Sequence, residues 1–364
     1  MRYIDEFALA DITVGSTILG AGGGGDPYLG SLLAREVIRK HGPVALVDLD
    51  EVPDDAVVAF VAGIGAPGVL VEKLPREQDS VVALRELERH LGVTITHAAP
   101  AEAGGMNAVV PFAVSSANVP VVDADGIGRA FPSLELVTPT LYGALATPMS
   151  LVDEHGNVVI IKSPDNEWAE RLARAVTVAS GCHMLIAAYV MTGVQAKAWL
   201  IPGVLSLAEQ LGKKLRTART NGTSPVEAIV QAQNGALLFE GKITEVDRRT
   251  ERGWTVGEAR IEGSGTFADQ EMLLHFQNEH LAAIRDGEVV ATVPDLIMAL
   301  SADSGDPIPA EEVRYGYRVV VIGMPCNEKW RTEAGLKLAG PRRFGYDLDF
   351  KPVEHGRPAT SCGQ

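Results

Sequence analysis

VALVDLDEVPDDAVVAFVAGIG (44–65) holds two apolar runs separated by a polar turn. VALVDLD (44–50) and AVVAFVAGIG (56–65) are Val-rich, short and bounded by turn residues, the pattern of buried strands. Upstream, PYLGSLLAREVIRKHG (27–42) has the spacing of an amphipathic helix, with Asp26 as its cap, Pro27 in its first turn and Gly42 after its basic end. EFALADITVGSTILG (6–20) reads as an earlier helix, SVVALRELERHLG (80–92) as a later one, and VTITHAAP (93–100) as a third strand. Asn107 to Ala117 reads as a helix broken near Pro111, and PVVDADG (120–126) as a short buried strand. Strands alternating with helices predict an α/β layer with a largely parallel sheet.

SPDNEWAERLARAVTVASG (163–181) is a further helix, capped by Ser163 or Asp165. From about residue 235 the pattern changes: 236–265, 271–300 and 314–325 alternate apolar strands with charged turns. At 364 residues the chain exceeds the size at which one core keeps growing. The expected class is therefore α/β with two domains: an N-terminal α/β layer (1–162) and a mixed, mainly β C-terminal domain (163–364).

The net charge of −15 and the lack of a Lys/Arg stripe argue against nucleic acid. The most apolar stretch, 184–205, is interrupted by Lys197, Gln195 and Pro202, so no membrane partner is expected. No signal peptide is read at the N-terminus, and three scattered cysteines form no disulfide framework, which together predict a cytoplasmic protein. Cys182 and His183 are adjacent in what reads as an apolar helical neighbourhood; their side chains would diverge, which makes Cys182 packing rather than a nucleophile. Cys362 falls in a tail expected to be disordered.

Four segments could carry chemistry. GAGGGGDPYLG (20–30) has glycines at the spacing of a dinucleotide fingerprint, but a helix rather than a strand precedes them. Gly22, Gly23, Gly24 and Gly25 read either as a tight turn or as a backbone N–H cradle for negative charge. EAGGMN (102–107) offers Glu102 as a general base and Asn107 as a ring-orienting amide. In DADGIGR (123–129), Asp123 and Asp125 lie on one side of an extended chain and could serve as acid–base or cation-binding carboxylates. Arg129 pairs with one of them or receives a substrate carboxylate. HFQNEH (275–280), read as one strand, puts His275 and Glu279 on the same face and Asn278 on the other. That arrangement leaves a divalent metal such as zinc open as cofactor, with no third ligand nearby. GIGAPG (63–68) is a second glycine loop.

GAGGGGDPYLG, EAGGMNA, PVVDADGIGRAFP, FQNEHL, TVPDLI and GLKLAGPRRFGYD (335–347), in this order, resemble the S-methyl thiohydantoin desulfurase family across residues 8–352. The resemblance implies two domains and hydrolytic release of methanethiol from an S-methylated five-membered ring, leaving a hydantoin. Family members stand beside hydantoinase and oxoprolinase genes, so the alternative is a non-catalytic accessory subunit of such a system. On the hydrolase reading Asp123, Asp125 and Glu102 are the catalytic candidates. Gly22 to Gly25, Asn107, Arg129, Asn278 and Glu279 are the substrate-binding candidates. The partner is a small ring substrate, and a homo-oligomer is expected.

Overall fold

In the computed structural model, residues 1–66, 69, 73, 76–251 and 254–356 are described. Pro67 and Gly68 of the second glycine loop, and Cys362, lie outside them. The chain divides into two units: Met1–Leu19 with Gly24–Gln210, and Gly20–Gly23 with Leu211–Gln364.

The first unit is built on a sheet of β1 (Arg2–Ile4), β2 (Val44–Asp48), β3 (Val57–Gly65), β4 (His97–Ala99), β5 (Val121–Asp125), β6 (Met149–Val152), β7 (Val158–Ile161) and β8 (His183–Thr192), with β9 (Ile201–Pro202) paired to β5. The order is β1-β2-β5-β4-β3-β8-β6-β7. The central run β2-β5-β4-β3 is parallel, and both flanks are antiparallel, so the sheet is mixed rather than largely parallel.

Its helices are α1 (Glu6–Leu19), α2 (Pro27–His41), α3 (Glu77–Leu91), α4 (Thr138–Leu141), α5 (Asn166–Ala179), α6 (Gly193–Trp199) and the start of α7 (Val204–Asn221). Asp26 accepts from the N–H groups of Tyr28 and Leu29, and Asp165 from that of Trp168, which starts α2 and α5 where the sequence places them. In α3, Ala83, Leu84 and Leu87 recur at helical spacing and join Ala59, Val61 and Ala98 of the sheet in one buried cluster. Each such leucine stabilises the unit by roughly 1.5–3 kcal/mol.

Three sequence expectations change here. His183 opens a strand, not part of a helix, and Cys182 before it has a left-handed φ of 71°. A continuous apolar run carries no period to separate buried strand from buried helix. Because β8 pairs with β3 and β6, residues beyond 163 still belong to the first sheet, and contacts change hands only after Gln210. The segment 105–117 forms two 3-10 turns instead of an interrupted α-helix.

The second unit holds an antiparallel sheet of β10 (Ala236–Glu251), β11 (Trp254–Gly263), β12 (Glu271–Gln277), β13 (Glu279–Arg285), β14 (Glu288–Thr292), β15 (Leu296–Ser301), β16 (Pro307–Ile308) and β17 (Arg318–Met324), in the order β14-β13-β12-β11-β10-β17-β15-β16. The rest of α7, α8 (Pro225–Ala232) and α9 (Glu333–Ala339) complete it. On β12 the alternation is plain: Met272, Leu274 and Phe276 are buried, while Glu271, Leu273 and His275 are not. Met272 and Leu274 join Leu238, Phe239 and Ile261 in the core of this unit.

Candidate functional site

The carboxyl ends of parallel strands collect ligands in α/β sheets, because the loops leaving them diverge there. In the first unit three such ends are neighbours. β3 runs out at Gly63–Gly65, β4 leads three residues on to Glu102, and β5 ends at Asp125. Asn107 ties two of these ends together. Its Oδ1 accepts from the Gly63 N–H at 2.7 Å, and its Nδ2 donates to Glu102 Oε1 at 2.6 Å. Glu102 Oε2 accepts from the Phe131 N–H at 3.2 Å. Asp125 accepts from the N–H groups of Ala103 at 2.6 Å, Ile127 at 3.1 Å and Gly128 at 2.8 Å.

Both carboxyls are sealed: Glu102 is 6% exposed and Asp125 0%. Burial pushes Glu102 up to about 7, against the pull of Asn107, the Phe131 N–H and the Arg129 charge. Burial pushes Asp125 up to about 8; its three backbone donors oppose this and the Glu102 charge adds to it. Two adjoining carboxyls that resist ionisation near neutral pH are suited to exchanging protons rather than to holding fixed charge. Arg129 is fully buried, its Nε donates to the Ala130 carbonyl at 2.9 Å, and its guanidinium lies 4.7 Å from the centre of the Phe131 ring.

Asp123 has a different setting. Its Oδ1 accepts from the N–H groups of Leu205 at 2.8 Å and Ser206 at 3.2 Å, and its Oδ2 from the Ser206 hydroxyl. The carboxylate sits on the first turn of α7, where a negative group meets unpaired N–H donors. Asp123 and Asp125 are two apart on one strand, yet they share no donor among these bonds.

The glycine run divides. In the first unit, Gly24 and Gly25 have φ of 87° and 82°, and their carbonyls accept from the N–H groups of Asn107 and Met106. A Cβ on Gly24 would strike the Gly104 backbone. In the second unit, a Cβ on Gly23 would overlap the Glu279 carboxylate, and one on Gly22 would stand 2.9 Å from the His280 ring. The Gly23 N–H donates to the Gly20 carbonyl at 2.9 Å, which removes it from any donor cradle. Close packing on both sides explains why bare backbone is needed here.

HFQNEH is not one strand. Asn278 has φ 58° and turns the chain between β12 and β13, exchanging bonds with Thr255 at 2.7 and 2.8 Å. Glu279 therefore starts a new strand, and the same-face relation to His275 is lost. His275 instead meets Glu258 at 3.3 Å and stacks on Tyr346. Among the described residues no group of three or more His, Cys, Asp and Glu is placed to hold a metal ion, so zinc gains no ligand set. Two histidines that the sequence reading did not take as site candidates are buried: His280, with Nδ1 at 3.0 Å from the Ile297 carbonyl, and His183, which was read only beside Cys182. The signal available for His183 was its place at the start of an apolar run; its neighbours are set by strand pairing. No described helix is long and apolar enough to cross a membrane.

Residues 8–163 match the model of the S-Me-THD-like N-terminal domain, and residues 164–353 that of the S-Me-THD-like C-terminal domain. A crystal structure of a protein from Chromobacterium violaceum shares the fold, with a TM-score of 0.78 at 23% identity over 97% of this chain and 100% of that one. No curated protein matches the chain.

Proposed function

We propose, from the premise that the chain belongs to the S-Me-THD-like family, that it hydrolyses an S-methylated thiohydantoin to a hydantoin and methanethiol. The observation that carries this reading is the pair of adjoining buried carboxyls, Glu102 and Asp125, at the carboxyl ends of parallel strands. The ring carbon bearing sulfur is amidine-like and electrophilic. Water adds to it, the carbon–sulfur bond breaks, the new oxygen becomes a carbonyl, and the protons of water end on the ring nitrogen and on methanethiol.

Glu102, held near 7, is matched to take the proton of the attacking water and return it to the departing sulfur. Asn107 fixes the carboxyl in place. Asp125 organises the turn after β5 and raises the cost of ionising both carboxyls together. Arg129 supplies the buried positive charge that keeps Glu102 from remaining protonated throughout the neutral range.

The test is turnover of an S-methyl thiohydantoin by the purified full chain, with methanethiol and the ring product followed by mass spectrometry. Wild-type turnover with a loss of kcat/KM on the order of 100-fold or more in Glu102→Gln is expected, the usual scale for removing an acid–base group. A wild-type chain that releases no methanethiol from any such ring overturns the reading.

A further inference from the structure

Helix α5 carries apolar residues on two opposite faces. Ala169, Ala173 and Thr177 are buried on the side that meets β3, β7 and β8. On the other side Trp168, Leu172, Ala175 and Ala179 are all exposed, at successive intervals of 4, 3 and 4 residues. That spacing keeps the four within about 60° of one another around the helix, the narrow seam of a coiled coil rather than scattered surface residues. Trp168 is 50% exposed and Leu172 40%. Leu145, 46% exposed, is held beside the start of the helix, because Asn166 donates to the Ala144 carbonyl at 2.9 Å and accepts from the Ala146 N–H at 2.8 Å. The helix is already fixed in place: Glu170 accepts from the Leu134 N–H at 3.0 Å, and Arg174 donates to Glu170 at 2.7 Å and to the Pro132 carbonyl at 3.3 Å. A partner docking on it meets a preorganised surface.

We propose that this stripe is a homodimer contact: α5 packs antiparallel on α5 of a second copy, about a twofold axis between residues 173 and 174. In that register Trp168 lies over Ala179 of the second copy and Leu172 against its Ala175, and the symmetry repeats both contacts. The stripe is large in its N-terminal half and small in its C-terminal half, so each bulky side chain meets a gap. A parallel pair would set Trp168 on Trp168 and leave the alanines apart. At half exposure Trp168 alone offers about 75–125 Å². With Leu145, Leu172, the alanines and the flanking Val178, each copy offers on the order of 350 Å², close to the roughly 450 Å² of apolar surface in one half of a standard interface. A lipid surface fits less well, since a net charge of −15 is repelled by anionic headgroups. The contact does not depend on the hydrolase reading.

Sedimentation equilibrium of the full chain tests it. The wild type should run at twice the chain mass and dissociate on dilution. Leu172→Asp, at an exposed site, should keep the wild-type Tm and raise the dimer dissociation constant about tenfold or more. Ala179→Trp should weaken the dimer similarly, because two indoles then compete for one gap. Adding Trp168→Ala to Ala179→Trp exchanges bulk and gap, and should recover most of that loss. If Leu172→Asp does not fold, the Ala179→Trp pair reads the same contact.

A wild-type chain that stays monomeric at all concentrations overturns the proposal; binding of that monomer to phosphatidylcholine vesicles, lost in Leu172→Asp, would make a lipid surface the occupant. A dimer of unchanged affinity in Leu172→Asp also overturns it, by placing the contact elsewhere. A dimer weakened by Ala179→Trp but not recovered by Trp168→Ala overturns the antiparallel register.

Discussion

The side-chain N–H of Asn107 donates to the buried Glu102 Oε1 at 2.6 Å, inside the first unit. This bond favours the ionised form of Glu102, whereas burial favours the protonated form. Asn107→Ala removes the first and leaves the second, so the Glu102 pKa should rise above about 7. The acid limb of the kcat/KM profile should move up by on the order of one pH unit. The Gly63 N–H also loses its acceptor, at a cost of about 1–3 kcal/mol in denaturant unfolding. An unmoved limb would show that Glu102 does not set it.

Glu102 also ties stability to pH. Its folded pKa, about 7, lies above the ordinary 4.5, so between those values the folded chain binds the extra proton. Its contribution is therefore full below about pH 4.5 and is lost as pH rises toward 7. Glu102→Gln cannot ionise and escapes that loss. The stability of the variant minus that of wild type should climb by up to about 3 kcal/mol between pH 4.5 and 8. His183, with its lowered pKa, favours folding increasingly as pH rises from about 4 to 6.5 in both proteins and cancels, whereas Asp125, held near 8 partly by the Glu102 charge, is relieved in the variant and adds to the difference in the same direction. A pH-independent difference would contradict the raised pKa.

Asp123 serves the first turn of α7 rather than the Glu102 cluster, in contrast with the expectation that it acts beside Asp125. Asp123→Asn keeps an acceptor oxygen and should retain kcat within about threefold, a smaller loss than removal of an acid–base group brings. Asp123→Ala leaves buried N–H donors unpaired and should lower unfolding stability by about 1–3 kcal/mol. Loss of activity in the folded Asn variant would restore Asp123 to the chemistry.

Gly24 and Gly42 have nearly the same positive φ, 87° and 89°, and differ in what surrounds them. Nothing lies within 4 Å of a Cβ on Gly42, whereas one on Gly24 meets Gly104 backbone. Gly42→Ala should cost about 1–3 kcal/mol of backbone strain, because φ 89° with ψ −179° is a conformation held almost only by glycine. Gly24→Ala should cost more than that, because backbone cannot step aside as a side chain can. Equal midpoints in urea would show that packing around the glycine run is not the constraint.

Features decided by a few adjacent residues were readable from the chain. Asp26, Pro27 and Gly42 bound α2 because capping acts within one helical turn. The alternation of Met272, Leu274 and Phe276 marks β12 because a strand has period two. HMLIAAYVMT (183–192) was unreadable, since a uniformly apolar segment fits a buried strand and a buried helix equally, and only its partners β3 and β6 decide. The turn at Asn278 was missed for a related reason: its left-handed backbone is held by Thr255, which is 23 residues away.

Which residues could act was legible in the chain: carboxylates, an amide and bare glycines, placed at strand ends by local pattern. How each is used depended on the folded neighbourhood. Glu102 and Asp125 are titratable near neutral pH because distant chain closes over them; Phe131, bonded to Glu102, lies 29 residues on. Asp123, of the same residue type as Asp125, became a helix cap because Leu205, in the first turn of α7, lies against it 82 residues later. A side chain's chemistry is local, but desolvation and hydrogen-bond partners are supplied by segments far along the chain, and these set whether a carboxyl carries protons or holds a fold.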